Sequence, residues 1–424
     1  MNWKILTGIT ILVVAVIIIG GIFIFRERIT PLSSEQKSKL SDIKNVVDAN
    51  NQFALDYYSK LKSKESGNIF FSPFSISSAF VMTYEGAKGQ TAEEIRSVFH
   101  FPEDSYLRRS EYASIFNELN KKDKKYKFNS ANALWVQQDY QFSKDFFENV
   151  EKYYSGKAIN LDFKKDPEGS RITINNWVEN QTNDKIQNLI PQGIIQPMTK
   201  LVLTNAVYFK GEWIKQFNKN DTKEEDFRTS NSGIIKAQMM RRTDKEAIFN
   251  YAENSDLQML EMPYSGDELS ILLLLPKNDN LTKLEGILST KNISDWKKDL
   301  RRQRVDVYIP KFKFETKYFM ADDLKAIGMP LAFSDSADFS GMTATGKRDL
   351  KIDEAIHQAF VEVNEEGTEA AAATAVIMVV GSAAGPAEEP EIPVFRADHP
   401  FIFLIQQKST GAILFIGRVV NPNL

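Results

Sequence analysis

The stretch Asn364-Glu-Glu-Gly-Thr-Glu-Ala-Ala-Ala-Ala-Thr-Ala-Val-Ile-Met-Val-Val-Gly-Ser382 decides how the rest of the chain is read. Two acids lead into Gly367 and Thr368, small residues run from Ala370 to Ala375, and apolar ones from Val376 to Val380. A Gly/Ala/Pro/Glu-rich piece, Gly381 to Pro390, closes it. Local preferences conflict along this segment. The alanines favour helix, Val376 to Val380 favours strand, and the tail favours open loop. Taken alone, it reads as an alanine-rich linker, as a surface helix, or as a segment that must live in two conformations. If residues 367 to 381 form one strand, side chains alternate between faces. One face receives Thr368, Ala370, Ala372, Thr374, Val376, Met378 and Val380, none of them charged. The other receives Glu369, Ala371, Ala373, Ala375, Ile377 and Val379, and carries the only charge. A shift of one residue would bury Glu369, so the register is specified. Such a strand covers about 50 Å at roughly 3.3 Å per residue.

Working outward, four motifs stand in order. They are Asn68-Ile-Phe-Phe-Ser-Pro-Phe-Ser75, Leu203-Thr-Asn-Ala-Val-Tyr-Phe-Lys-Gly-Glu-Trp213, Glu365-Glu-Gly-Thr-Glu-Ala-Ala-Ala-Ala373 and Phe395-Arg-Ala-Asp-His-Pro-Phe401. Together they resemble the motifs of the serpin family. The third is similar to the hinge of the reactive loop in inhibitory serpins, and the fourth to the signature that follows that loop. The resemblance implies an α+β fold: a large mixed β-sheet, further sheets, surrounding helices, and an exposed reactive loop at about residues 364 to 394. It implies a serine protease inhibitor, not an enzyme, that works by suicide-substrate trapping. A protease takes the loop as substrate and forms an acyl-enzyme. The freed loop then inserts into the main sheet and drags the tethered protease with it.

The resemblance also assigns roles. Glu366, Gly367, Thr368, Ala370, Ala371, Ala372 and Ala373 match the hinge. Ser72, Ser75, Asn205 and His357 match the shutter, a polar cluster beneath the central strands. Trp213 matches the breach, where the hinge first enters. Counting forward from Gly367 places the reactive bond at Gly381–Ser382. Counting back from Phe395 places it nearer Glu389, and the forward count is preferred because the sheet fixes the insertion length. The small and β-branched residues before that bond imply a target protease with a small-residue preference, elastase-like or subtilisin-like. The alternative is a non-inhibitory serpin acting as a chaperone or binding protein at the cell surface. A bulky or charged hinge would favour it, whereas Thr368 and the alanines permit insertion. An adhesion or structural domain with a flexible loop is a further alternative.

Composition narrows the chemistry. The chain has 424 residues, 42% hydrophobic and 26% charged, with a net charge of −3. These are globular values, and the charge argues against a general polyanion or nucleic-acid binder. No cysteine is present, which excludes disulfides, thiolate metal sites and a cysteine nucleophile. His100, His357 and His399 are the only histidines, so no metal site and no cofactor are expected. Gly381-Ser-Ala-Ala-Gly385 has its serine in the wrong place for a G-x-S-x-G elbow, and neither H-E-x-x-H nor a phosphate-binding glycine loop occurs. The acids Glu224 and Glu225 read as a solvated face. The basic runs Lys121 to Lys127 and Lys297 to Arg304 read likewise, although some serpins bind polyanions through such patches. A monomer is expected.

Residues 1–30 read as an N-terminal anchor or signal segment and 31–424 as one domain. Ile5 to Phe25 is uncharged and apolar, long enough to span a bilayer as a helix. It lacks a small-x-small cleavage site, so an uncleaved anchor is preferred to a cleaved signal. The flanking Lys and Arg would weakly place the C-terminal side inside. Protease partners place the domain outside, and the extracellular side is adopted, with secretion as the alternative. Further on, Leu40 to Leu61 shows helical spacing, with Gly67 as its stop. Ser75 reads as a helix cap, and Thr91 with Glu94 as a capping box. Phe142–Tyr154 and Ile172–Leu189 read as helices. Ala131–Val136, Leu201–Phe209, Leu269–Leu275 and Val305–Ile309 read as strands, and Phe401–Ile405 with Ala412–Ile416 as a buried hairpin.

Overall fold

In the early part of the chain, apolar residues recur at helical spacing, and the helices form there. They are α1 (Lys44–Lys62), α2 (Pro73–Gly86), α3 (Gly89–Phe99), α4 (Ser105–Leu119), α5 (Lys144–Tyr154) and α6 (Pro167–Gln181). Three short ones follow: α7 (Leu281–Ile287), α8 (Thr290–Asp299) and α9 (Ala321–Ile327). The computed structural model describes residues 44–121, 124–230, 233–368 and 391–424. The expectations for residues 5–25, Ala370 to Ala373 and the Gly381–Ser382 bond lie outside the described residues. Among the described residues, no helix is long and apolar enough to cross a membrane.

The strands are β1 (Ile69–Phe71), β2 (Tyr126–Gln137), β3 (Lys157–Leu161), β4 (Leu201–Glu212), β5 (Lys223–Arg228), β6 (Ile234–Arg242), β7 (Ile248–Glu253), β8 (Leu257–Pro263) and β9 (Leu269–Pro276). After them come β10 (Arg301–Arg304), β11 (Asp306–Pro310), β12 (Phe312–Phe319), β13 (Glu354–Val363), β14 (Gly367–Thr368), β15 (Val394–Arg396), β16 (Phe401–Gln407) and β17 (Ile413–Val419). They form three sheets. The first is antiparallel, in the order β1-β17-β16-β9-β8-β7-β10. The second runs β15-β11-β6-β5. The third is mixed, β12-β13-β14-β4-β2-β3, with parallel pairs β13–β4 and β2–β3.

The mixed sheet is covered differently on its two faces. Ala131, Ala133, Trp135, Val202, Ala206 and Ile356 point to one face and pack with Ile174 and Val178 of α6. The alanines let the helix lie close, and the apolar burial holds it there at roughly 1.5–3 kcal/mol per large aliphatic side chain. The alternate residues point to the other face, toward α2. That helix is buried on nearly every side, as its all-round apolar sequence requires.

Several sequence expectations are corrected. Ser72, not Ser75, caps α2: its side chain accepts from the Ser75 N–H, and Pro73 takes the first helical position, where a missing N–H costs nothing. Thr91 lies inside α3 and caps nothing; its hydroxyl accepts from the Asp338 N–H instead. The first helix ends at Lys62, short of Gly67. The helix expected over 172–189 spans Pro167–Gln181. Asp166 caps it, and left-handed Asn183 and Asp184 stop its continuation.

Candidate functional site

Three adjacent strands of the mixed sheet place polar side chains side by side. In register, Asn205 of β4 stands opposite Asn132 of β2 and opposite His357 of β13. All three are buried, His357 completely. The N-terminus of α2 meets them from the inner face. The Ser72 N–H donates to His357 Nε2 at 3.1 Å. That nitrogen therefore carries no proton, and the proton sits on Nδ1, which donates to Asn205 Oδ1. The Asn205 amide in turn donates to the Ser75 carbonyl (2.9 Å), to Ser75 Oγ (2.6 Å) and to Asn132 Oδ1. Its two protons face three acceptors, so the row can hold more than one hydrogen-bond arrangement. Ser75 Oγ also lies 2.9 Å from Ser130 Oγ, and Ser72 Oγ donates to the Leu414 carbonyl at 2.6 Å. Burial pushes the His357 imidazole down to about 3, because the charged ring would have to leave water. It is neutral at physiological pH, as the single-proton arrangement requires.

Directly above this row the sheet forks. β4 and β13 pair in parallel from Val202–Val207 and Glu354–Ala359. Beyond that, β14 lies between them and runs antiparallel to both, with Thr368 opposite Val363 and Gly211, and Gly367 opposite Glu212. A tight turn returns the chain. Asn364 N–H donates to the Gly367 carbonyl at 2.9 Å, and Asn364 Oδ1 accepts from Glu366 N–H at 3.0 Å. Glycine is required at 367: a Cβ there would lie 2.1 Å from the Gly211 carbonyl oxygen and 2.7 Å from Glu212 Cα. These are backbone atoms that cannot swing aside.

Trp213 holds this turn. Its indole N–H donates to the Asn364 carbonyl at 3.0 Å, and its backbone N–H to the Glu366 carbonyl at 2.8 Å. Its ring stacks on Tyr264, centroids 4.5 Å apart. Tyr264 OH lies 2.7 Å from Thr368 Oγ1, and Thr368 is buried. The buried Glu365 carboxylate accepts from Thr222 Oγ1 at 2.8 Å and pairs with Lys311 at 3.0 Å. Burial alone would raise its carboxyl. Hydrogen bonds from its own backbone, Thr222 and Lys311 outweigh that and hold it below the usual carboxylate range. Glu366 pairs with Lys219.

Ser72, Ser75, Asn205 and His357, named from the sequence, thus meet in one network, while Trp213 meets Asn364 and Glu366 and stacks on Tyr264, which meets Thr368. Thr368 is already seated in the fork, because Gly367 permits the close approach. Sequence reasoning missed Asn132, Tyr264, Thr222, Lys311 and Lys219. Asn132 carried a signal, an amide in an otherwise apolar strand, as at Asn205. The others carried none, since their partners lie far along the chain. Two surface readings also change. Lys297 is half-buried and donates to Gln406 at 2.9 Å, and half-buried Glu225 pairs with Arg396.

Comparison with known proteins gives concordant results. The family model described as Serpin (serine protease inhibitor) matches residues 48–422. An uncharacterised serpin-like protein of Thermococcus kodakarensis is 42% identical over 380 residues, covering 89% of this chain and 86% of that protein. Leukocyte elastase inhibitor A of Rattus norvegicus is 40% identical over 391 residues, covering 90% of this chain and 100% of its own. Among solved structures, uncleaved ovalbumin is similar, with a TM-score of 0.79 and 31% identity over 89% of this chain and 100% of that one.

Proposed function

Because this chain belongs to the serpin family, we propose that it inhibits a serine protease by suicide-substrate trapping, with cleavage of the reactive loop at about residues 364–394 and insertion into the mixed sheet. The observation that carries this reading is β14, a two-residue strand already seated in the fork between β4 and β13. Its register extends downward without adjustment. On insertion in the register of Thr368 opposite Val363 and Gly211, a count of six residues brings Thr374 between His357 and Asn205. It falls on the same face as Thr368, the face of the buried polar row. Ala370 and Ala372 precede it on that face and Glu369 points to the other. Insertion separates β13 from β4 by one further strand spacing, about 4.8 Å, and breaks the His357–Asn205 hydrogen bond. The Thr374 hydroxyl, both donor and acceptor, then stands where it can bond each of them.

Insertion is driven by the ladder. At a net of about 1 kcal/mol per hydrogen bond, a strand running from Gly367 to the proposed bond at Gly381–Ser382 gains more than about 10 kcal/mol, before apolar burial is added. The work is available to distort the acylated protease and leave its ester unhydrolysed. The chain itself carries out no catalysis in this reading. The leukocyte elastase inhibitor among its relatives and the small residues before Ser382 support an elastase-like or subtilisin-like target. Ile5 to Phe25 serves as a membrane anchor in this reading and holds the domain of residues 31–424 on the extracellular side. External protease added to intact cells checks that placement: digestion of the domain agrees with it and protection contradicts it. The inhibitory reading is tested by incubating the protein with elastase and with subtilisin. An SDS-resistant complex and a new N-terminus at Ser382 are expected. Loop cleavage that leaves every protease fully active would contradict inhibition and leave a binding or chaperone role.

A further inference from the structure

The turn that follows β4 grips the hinge at two points. Asn218 caps the short helix Lys219–Asp221, its Oδ1 accepting from the Asn220 N–H at 3.0 Å, which fixes the backbone of the turn. From that fixed turn Thr222 reaches Glu365, and Lys219 reaches Glu366. The second contact is asymmetric. The Lys219 side chain is 57% exposed, whereas the Glu366 side chain is 11% exposed. An ion pair between two exposed groups contributes little. Removing the partner of a nearly buried carboxylate is different, because it leaves a charge with little water around it and without the cation it pairs with. The direct relief is for Glu366 to turn out into water. Its carbonyl accepts from Trp213 N–H, and its neighbour Gly367 is the first residue of β14. Turning Glu366 outward therefore pulls on the Trp213 bond and on the seat of Gly367 and Thr368.

We infer that Lys219 is a positioning residue, holding the hinge turn at the head of the fork through Glu366 so that insertion starts from a strand already in register. The assignment rests on the insertion reading above, although its effect on the hinge can be measured without any protease. Lys219 and Glu366 both line a cavity of about 420 Å³ shared with Lys311, Glu362 and Glu365. The Lys219 side chain is exposed there, so the pair responds to ionic strength.

The test uses Lys219→Met and Lys219→Arg. Amide hydrogen exchange is read at Gly367 and Thr368, together with the number of inhibitor molecules consumed per protease inactivated. Lys219→Met is expected to speed exchange at both amides by about fivefold and to raise consumption, with the rate of loop cleavage unchanged. Lys219→Arg is expected to restore both readouts. Raising salt from 0.05 to 0.5 M, both nominal values of about that size, is expected to speed exchange in the parent protein and leave Lys219→Met unmoved. Unchanged exchange in Lys219→Met, or an arginine no better than methionine, overturns the assignment. If the parent protein traps no protease, the inhibitory reading fails and the exchange arm alone decides whether Lys219 holds the hinge.

Discussion

Replacing Thr368 by arginine attacks the first step of insertion. In the structure the Thr368 hydroxyl bonds Tyr264 OH at 2.7 Å inside a buried site. Loss of that bond leaves the Tyr264 hydroxyl unsatisfied, at about 1–3 kcal/mol. Seating arginine there would add an unpaired charge beneath the sheet, about 3–5 kcal/mol more for an uncompensated buried ion. In the uncleaved protein the hinge escapes most of this by leaving the fork, so the folded protein loses little stability. In the acyl-enzyme it cannot escape, because insertion must carry residue 368 inward. At 1.36 kcal/mol per tenfold, 3–5 kcal/mol slows that step by about two to four powers of ten. Deacylation then wins, and the protease leaves active. The assay titrates a fixed amount of protease and counts inhibitor molecules consumed per enzyme inactivated, alongside the rate of loop cleavage and the new N-terminus. The expected variant is cut at the same bond, at a similar rate, with no stable complex. A covalent complex formed with unchanged stoichiometry would refute either the register or the insertion mechanism.

Other expectations follow from the same geometry. Gly367→Ala places a Cβ 2.1 Å from the Gly211 carbonyl oxygen, so β14 should leave the fork; faster amide exchange at Thr368 is expected, and unchanged exchange would contradict the seating argument. Thr374→Val removes the hydroxyl proposed to meet His357 and Asn205; the loop-cleaved form should lose about 1–3 kcal/mol while the uncleaved form is unchanged, and equal losses in both would count against the register. His357 is held neutral down to about pH 3, against 6.5 for an unperturbed imidazole, so the unfolded chain binds a proton that the fold refuses. Its contribution is complete above about pH 6.5 and falls by up to about 1.4 kcal/mol per unit as pH drops from there toward 3. Denaturant midpoints of the parent and His357→Gln should therefore converge on acidification, and a pH-independent difference would contradict the assignment.

Much of this site could be read from the sequence, and the boundary of what could not has a physical cause. An amide in an otherwise apolar strand is visible locally, as at Asn205, whereas His357 is named only through the serpin resemblance. The alternation after Gly367 is likewise a property of consecutive residues. The seating of β14 is not, since two residues specify no strand by themselves. It depends on Gly211 and Glu212, far away in the chain, and on the absence of a Cβ at 367. Partners such as Lys311 for Glu365 and Tyr264 for Thr368 are set by the arrangement of the sheets and leave no local trace. The cap of α2 was misplaced for a smaller reason. Ser72 and Ser75 both suit the role, and Pro73 at the first helical position decides for Ser72.

The account stands on the claim that the loop becomes a strand between β4 and β13. Thermal unfolding of the intact protein and of protein nicked between Val376 and Pro390 tests it most directly, with no need to know the natural target. A gain of more than about 10 kcal/mol in ladder hydrogen bonds predicts a midpoint raised by more than about 10 °C after the nick. A midpoint that stays put or falls would contradict insertion.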